Sequence, residues 1–481
     1  MRKSLSAVVA VTVLILPTQS SQAANPKIGT TCNKLNLKQT YAGKSYICIR
    51  SGKKLVWDKK EPISSSENSA NTSNSKTTST TSEQKIAYLS SPEPLDTCRV
   101  PDARTKKNVV TEAIAYPVNH SGTHQTIPNK GHVKVAIIPI DFPDVAGNGT
   151  PAQIIEPIIE QSNKWLKQFS NGKTTYDFQT TNRWIRAGKN SNFYIWKHPG
   201  HPDNPLPDAI PGPDRSATEI ATELMGYAQN DFDYKNLNIV FFIYPKNIVN
   251  IYDAMTQFTG IETNVGTVQI QVNATGAWSY LPQNAPLWSW FIHENMHPTG
   301  IAGHAPNDGS PFSVMTNQSG GSLVLNSWDQ AILDWQAENE IYCISQENIF
   351  PIEIPINSID NEQLSGTKAI FVRLNSHEVL VIESRRNAYW SSGFDGSNSF
   401  PPNFSGLLIY KVDTSIDVNR VSDSGGFAQL QLLPGIQSGR DYSPQNLYNF
   451  LIKKGQTLNV SGVSVTLSKS GIYDTVLLKK T

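Results

Sequence analysis

The segment Trp290-Phe291-Ile292-His293-Glu294-Asn295-Met296-His297-Pro298-Thr299-Gly300-Ile301-Ala302-Gly303-His304 restricts the fold of this chain more than any other. On an α-helix the four-residue step from His293 to His297 goes about 40° past one full turn and about 6 Å along the axis. Both imidazoles then share one face and can hold one metal ion at bonds of about 2.0–2.1 Å. Glu294 stands beside them, where a carboxylate can reach water in an open position on that ion. Trp288, Phe291 and Ile292 form an apolar stripe that turns the same helix toward a core. A core helix with two hydrogen-bonded histidines would account for that stripe. It would leave unexplained why Gly300, His304 and then Ser313-Val314-Met315 follow.

The rest of the chain must build a frame for this helix, and its 481 residues suffice for two or three domains. Residues 1–23 read as a signal peptide: Arg2 and Lys3, an apolar run from Ala7 to Leu16, and the small-residue site Ser21-Gln22-Ala23. The apolar run is too short to span a bilayer and no later segment is long enough, so the expectation is a secreted, extracellular protein without a transmembrane segment. Retention at the cell surface would follow if the leader stayed uncleaved. Lys and Arg total 41 against 40 Asp and Glu, a net charge of +1, which points away from nucleic acid as a partner.

Residues 24–60 read as a small β module stapled by Cys32 and Cys48, a candidate for cell-surface contact. Residues 61–86 read as a linker, since Ser64 to Glu83 is nearly all Ser, Thr and Asn and cannot bury enough surface to fold. In residues 87–350 the expected strands are 132–140, 175–185, 237–244 and 266–273, the last a half-exposed edge strand. The expected helices are 153–169, 217–228, the motif helix and 328–335. Residues 351–481 read as an all-β, sandwich-like C-terminal domain, with strands at 369–372, 379–383, 407–410, 463–467 and 475–478.

The order strand, helix, strands, edge strand and motif helix resembles the zincin arrangement, and Gly300, the later histidine and Met315 make it similar to the metzincins. More of the chain, roughly residues 130–480, resembles the secreted bacterial metalloproteases of the immune inhibitor A type. The segments carrying that likeness are Ile140-Asp141-Phe142-Pro143-Asp144, the motif helix, Ser327 to Trp335, Val381 to Arg386 and Gly406 to Asp413. The resemblance implies an α+β zincin catalytic domain followed by the β-sandwich, acting as a zinc-dependent endopeptidase on proteins or peptides. It assigns His293, His297 and His304 to one catalytic Zn2+ and Glu294 to the role of general base. Two departures stand out. The metzincin third ligand falls on Gly303, so His304 comes one residue late and Asp308 remains as an oxygen alternative. Pro298 removes a helical N–H and is expected to kink or end the helix after His297.

In an exported protein Cys98 and Cys343 are expected to pair. Cys98-Arg99-Val100-Pro101-Asp102 also resembles the cysteine-switch segment of matrix metalloproteinase propeptides, in which a thiolate occupies the open zinc position. Weaker features are a second metal site at His198 and His201, calcium at Asp395-Gly396-Ser397-Asn398, which lacks full ligand spacing, and Asp141 and Asp144 as strand-end caps. Arg385 and Arg386 read as structural ion pairs, and Met315 as a floor under the ion or an ordinary core residue. The competing function is a catalytically inactive zincin-fold surface protein that adheres to cell wall or matrix.

Overall fold

The computed structural model describes residues 30–31, 38–41, 44–51, 54–59, 91–105, 115–116, 126–197, 204–282, 286–301, 304, 310–318, 321–361, 365–391, 404–416, 430–433 and 448–481. The expected signal peptide 1–23 and linker 61–86, and Cys32, His198, His201, Asp308 and Asp395 to Asn398, lie outside them. The chain divides into two compact units, Met1–Glu83 and Gln84–Thr481.

In the first unit β1 (Lys38–Tyr41), β2 (Lys44–Ser51) and β3 (Lys54–Lys59) form an antiparallel sheet in that order. Cys48 is buried and disulfide-bonded.

The second unit is α+β and rich in sheet. It opens with α1 (Leu95–Cys98), β4 (Gly131–Asp141), α2 (Ala152–Phe169), β5 (Thr174–Thr180), β6 (Ile185–Arg186) and α3 (Ala217–Ala228). Then come β7 (Ile239–Ile243), β8 (Met255–Thr263), β9 (Gly266–Ala274) and the motif helix α4 (Leu287–Thr299). The sheet runs β5-β4-β7-β9-β8, with β6 also on β4; β8 is antiparallel to β9 and the other pairs are parallel. Alternation along β4 sends Val133, Val135 and Ile137 to the face covered by α2 and α4, and Ala136, Ile138 and Ile140 to the face covered by α3. A strand buried on both faces reads as one apolar run, which is why β4 was legible.

The expected edge strand is corrected here. Residues 266–273 form β9, which is interior, and β8 beyond it is the edge. β9 looks half-exposed because Gln271 and Asn273 alternate with apolar residues, yet they are 4% and 0% exposed. Both side chains find partners in the interior: Gln271 Nε2 donates to Thr256 Oγ1 at 2.8 Å, and Asn273 Nδ2 to Asn295 Oδ1 at 3.1 Å. The expected strand 175–185 is also two pieces, β5 and β6.

After α4 come α5 (Ser327–Ile332), β10 (Ile341–Ser345), β11 (Ile352–Ile356), β12 (Ala369–Arg373), β13 (Glu378–Arg386), β14 (Ser405–Asp413) and β15 (Leu430–Leu433). The last strands are β16 (Leu451–Ile452), β17 (Thr457–Val460), β18 (Val463–Lys469) and β19 (Asp474–Lys480). They make two sheets, β10-β12-β13-β14-β15 with β16 on β14, and β11-β19-β18-β17. Ile344, Ile370, Leu380 and Ile409 of the first share one apolar cluster with Ile354, Val465 and Val476 of the second. The opposite face of the first sheet, through Phe371, Val381 and Tyr410, joins the cluster that holds Phe291 and Met296 of α4. The motif helix thus rests on the same core as the C-terminal strands.

Cys98 and Cys343 form a disulfide across 245 residues, which rules out the cysteine-switch reading because no thiolate is left at Cys98. In the chain-entropy picture a loop of that size contributes about 5 kcal/mol. Glu93 fastens the same segment: its N–H donates to the Cys343 carbonyl at 2.9 Å, and its carboxylate accepts from Ser345 N at 2.8 Å.

At the start of α5 lies a buried acidic pair, Asp329 and Glu383, 5% and 0% exposed. Glu383 Oε1 accepts from Ser327 N at 2.5 Å and from Tyr410 Oη at 2.7 Å. Burial, and then the charge of Glu383, push the Asp329 carboxyl up to about 7. A carboxyl raised this way binds more protons folded than unfolded between about pH 4 and 7. Its contribution to stability therefore falls as pH rises across that window and is constant above it. Asp329→Asn is expected to be the more stable form at pH 8, by at most about 4 kcal/mol, with the difference vanishing near pH 4. Urea melts at the two pH values check this; an equal difference at both would contradict it.

Candidate metal centre

α4 supplies His293, Glu294 and His297 from consecutive turns, and the chain then reverses to return His304. Gly300 makes that reversal with φ +126°, a conformation that disfavours any side chain. Its N–H closes the helix on the Met296 and His297 carbonyls, at 3.2 and 3.0 Å. Pro298 lies in the last turn, so the helix runs one residue past it to Thr299 before ending. The Pro298 carbonyl accepts from Thr126 N and Ile127 N, at 2.8 and 3.0 Å.

The three Nε2 atoms form a nearly equilateral triangle: 3.1 Å from His293 to His304, 3.3 Å from His297 to His293, and 3.3 Å from His304 to His297. Two nitrogens bound to one tetrahedral ion at about 2.0–2.1 Å stand about 3.3–3.4 Å apart, so the triangle has the size of one face of such a sphere. The opposite ring nitrogens settle the tautomers. His293 Nδ1 lies 2.7 Å from the Val314 carbonyl oxygen and His297 Nδ1 lies 2.9 Å from that of Ile301. A carbonyl only accepts, so each Nδ1 carries the hydrogen and each neutral ring turns a bare Nε2 lone pair into the triangle. Lone pairs at this spacing repel one another unless a cation lies among them. Outer hydrogen bonds of this kind are what orient histidine ligands on a metal. Burial, then the neighbouring His293, push the His297 imidazolium down to about 3, so the ring is neutral at pH 7. Among the described residues this is the one cluster of metal-ligating side chains close enough to hold an ion.

Glu294 is half-buried beside the triad. Burial raises its carboxyl above the usual carboxylate range; His297, His304 and hydrogen bonds from Thr256 and Trp290 act the other way. Thr256, the second residue of β8, donates to Asn273 Oδ1 at 3.0 Å, and Asn273 donates to Asn295 beside Glu294, which links the edge strand to the motif helix.

Residues 310–318 and 321–325 meet the triad through the Val314 carbonyl that accepts from His293 Nδ1. Val314 N donates to the Val324 carbonyl at 3.0 Å and Trp165 Nε1 to the Leu323 carbonyl at 2.7 Å. Met315 is 1% exposed in the same apolar cluster, next to the residue whose carbonyl holds His293. Arg385, fully buried on β13, donates to the Phe312 carbonyl and pairs with Asp360 at 3.4 Å. Arg386 pairs with Asp474 at 2.7 Å. Asp141 accepts from Arg186 at 2.7 Å and from Gly147 N at 2.9 Å, holding the turn after β4, and Asp144 accepts from Ser191 N at 2.8 Å.

Thr256, Asn273 and Arg385 were beyond sequence reasoning, because each acts on the site from a strand distant in the chain. Only Asn295, set between the two histidines and bonded to Asn273, lay in view. No protein-family model matches this chain, and a search of curated proteins finds no significant match.

Proposed function

We propose that this chain is a secreted zinc-dependent endopeptidase with a zincin-type catalytic domain, akin to the immune inhibitor A type. The observation that carries the reading is the triangle of three Nε2 atoms, those of His293 and His297 bare, with Glu294 beside it. Three nitrogen donors suit zinc and leave a position open for chemistry. When bound, zinc would supply a Lewis acid that polarises the peptide carbonyl and lowers the pKa of water. His293, His297 and His304 would hold it, and the Val314 and Ile301 carbonyls would keep the first two rings aligned. Glu294 takes the proton of the attacking water at its carboxylate and passes it to the nitrogen of the leaving amine. Among the described residues β8 pairs only with β9, and on its other side an extended substrate adds as a further strand by main-chain hydrogen bonds. Export agrees with a disulfide across the catalytic region.

The test is degradation of casein by the purified mature protein. Cleavage that a chelator stops and added zinc restores is the expected result. A folded, zinc-loaded protein that leaves casein and a broad peptide mixture intact would instead favour the adhesive alternative.

A further inference from the structure

We propose that a cavity at the start of β8 is a substrate subsite that selects a large apolar side chain three or four residues after the cleaved bond. This rests on the peptidase reading. The cavity is about 370 Å³, at the small end of the 300–1,000 Å³ of ligand sites. Its apolar walls include Trp196, Leu206, Ile210 and Tyr252; Lys197, Asp214 and Asp253 supply the charge, one positive against two negative.

Its position follows from the ladder. Among the described residues β8 pairs only with β9, so its other side is open. Upstream the same edge continues: Ala277 N donates to the Ile251 carbonyl at 2.8 Å and Trp278 N to the Tyr252 carbonyl at 3.0 Å. A Cβ on Gly276 would stand 2.3 Å from the Tyr252 oxygen and 2.4 Å from that of Asp253, so this close pairing requires glycine. The wall opposite is fixed as well. Asn204 Nδ2 donates to the Val249 carbonyl at 2.8 Å, and Ile210 N to Asn250 Oδ1 at 2.8 Å. Asn250, 4% exposed, donates in turn to Asp144 at 3.1 Å and to Ser191 at 2.8 Å.

Thr256 pairs with Asn273, whose side chain bonds to Asn295 next to Glu294, so this end of β8 lies beside the motif helix and is where the scissile bond would meet the edge. Asp253 and Tyr252 lie three and four residues before Thr256, just ahead of the first residue of β8. Antiparallel addition is the more stable pairing, so the substrate runs opposite to β8 and its C-terminal side passes the cavity. The side chain that enters meets apolar walls and a net negative charge, which favours phenylalanine, tyrosine or leucine and repels acidic residues.

The test uses quenched fluorescent peptides that differ only at the third and fourth positions after the cleaved bond, cut by the full-length protein. Wild type is expected to prefer phenylalanine over glycine or aspartate there by about tenfold or more. Ala209→Trp, which fills the cavity, and Ile210→Glu, at its exposed lip, should remove that preference while cleavage of the glycine peptides changes less than about twofold. Equal cleavage of all peptides, or a preference that both variants retain, overturns the subsite and leaves the peptidase reading standing. A preference confined to the N-terminal side overturns it too. Failure to cut any peptide removes the peptidase reading itself, and the subsite with it.

Discussion

Glu294→Gln is expected to lower kcat/KM on peptide substrates by about 10²–10⁴-fold, the range for loss of a positioned general base, while zinc content stays at one per chain. Glutamine keeps the shape of the side chain, but it cannot take a proton from water. Metal and base are thus separable: the ligands are three rings fixed by the Val314 and Ile301 carbonyls and by the return after Gly300, and Glu294 is none of them. Inductively coupled plasma analysis beside the kinetics checks both halves. A Gln variant with near wild-type turnover would show that the proton goes elsewhere, and one that has lost its zinc would make Glu294 a ligand.

His304→Ala should have the second large effect, on the metal itself. Loss of an outer hydrogen-bond partner costs a site about 10–100-fold in affinity, and removal of one of three direct ligands must cost more. Competition against a chromogenic chelator should show at least a 100-fold weaker zinc complex, with activity absent at zinc concentrations that saturate wild type. The fold should persist, because His304 is partly exposed in a loop and the core beneath contains no part of it. Unchanged zinc affinity would move the third ligand to Asp308 or another donor.

What the sequence made legible was local. Two histidines four apart on an amphipathic segment, a glycine where the chain must turn, and an apolar run doubly buried in β4 all declare themselves through period and conformational freedom. His304 could be placed although it comes one residue late, because a loop absorbs an extra residue where a helix or strand does not. What stayed hidden depends on pairing between distant segments. β8, with Gly260 at its centre and Gln257, Phe258 and Glu262 exposed, shows no clean alternation. Its partner carries polar Gln271 and Asn273 into the interior, where Thr256 and Asn295 satisfy them, and so looks like an edge. Arg385 likewise read as an ion pair within the C-terminal strands, and nothing in its neighbourhood of the chain shows that its guanidinium reaches the Phe312 carbonyl. The disulfide was readable as one of two options for Cys98, and only the spatial approach of Cys343 decides between them.

The most direct test is an anomalous difference map from crystals of the zinc-supplemented protein, collected on both sides of the zinc absorption edge. One strong peak about 2.0–2.1 Å from Nε2 of His293, His297 and His304 is the expected result. A folded protein with all three rings in place and no peak among them would contradict the account.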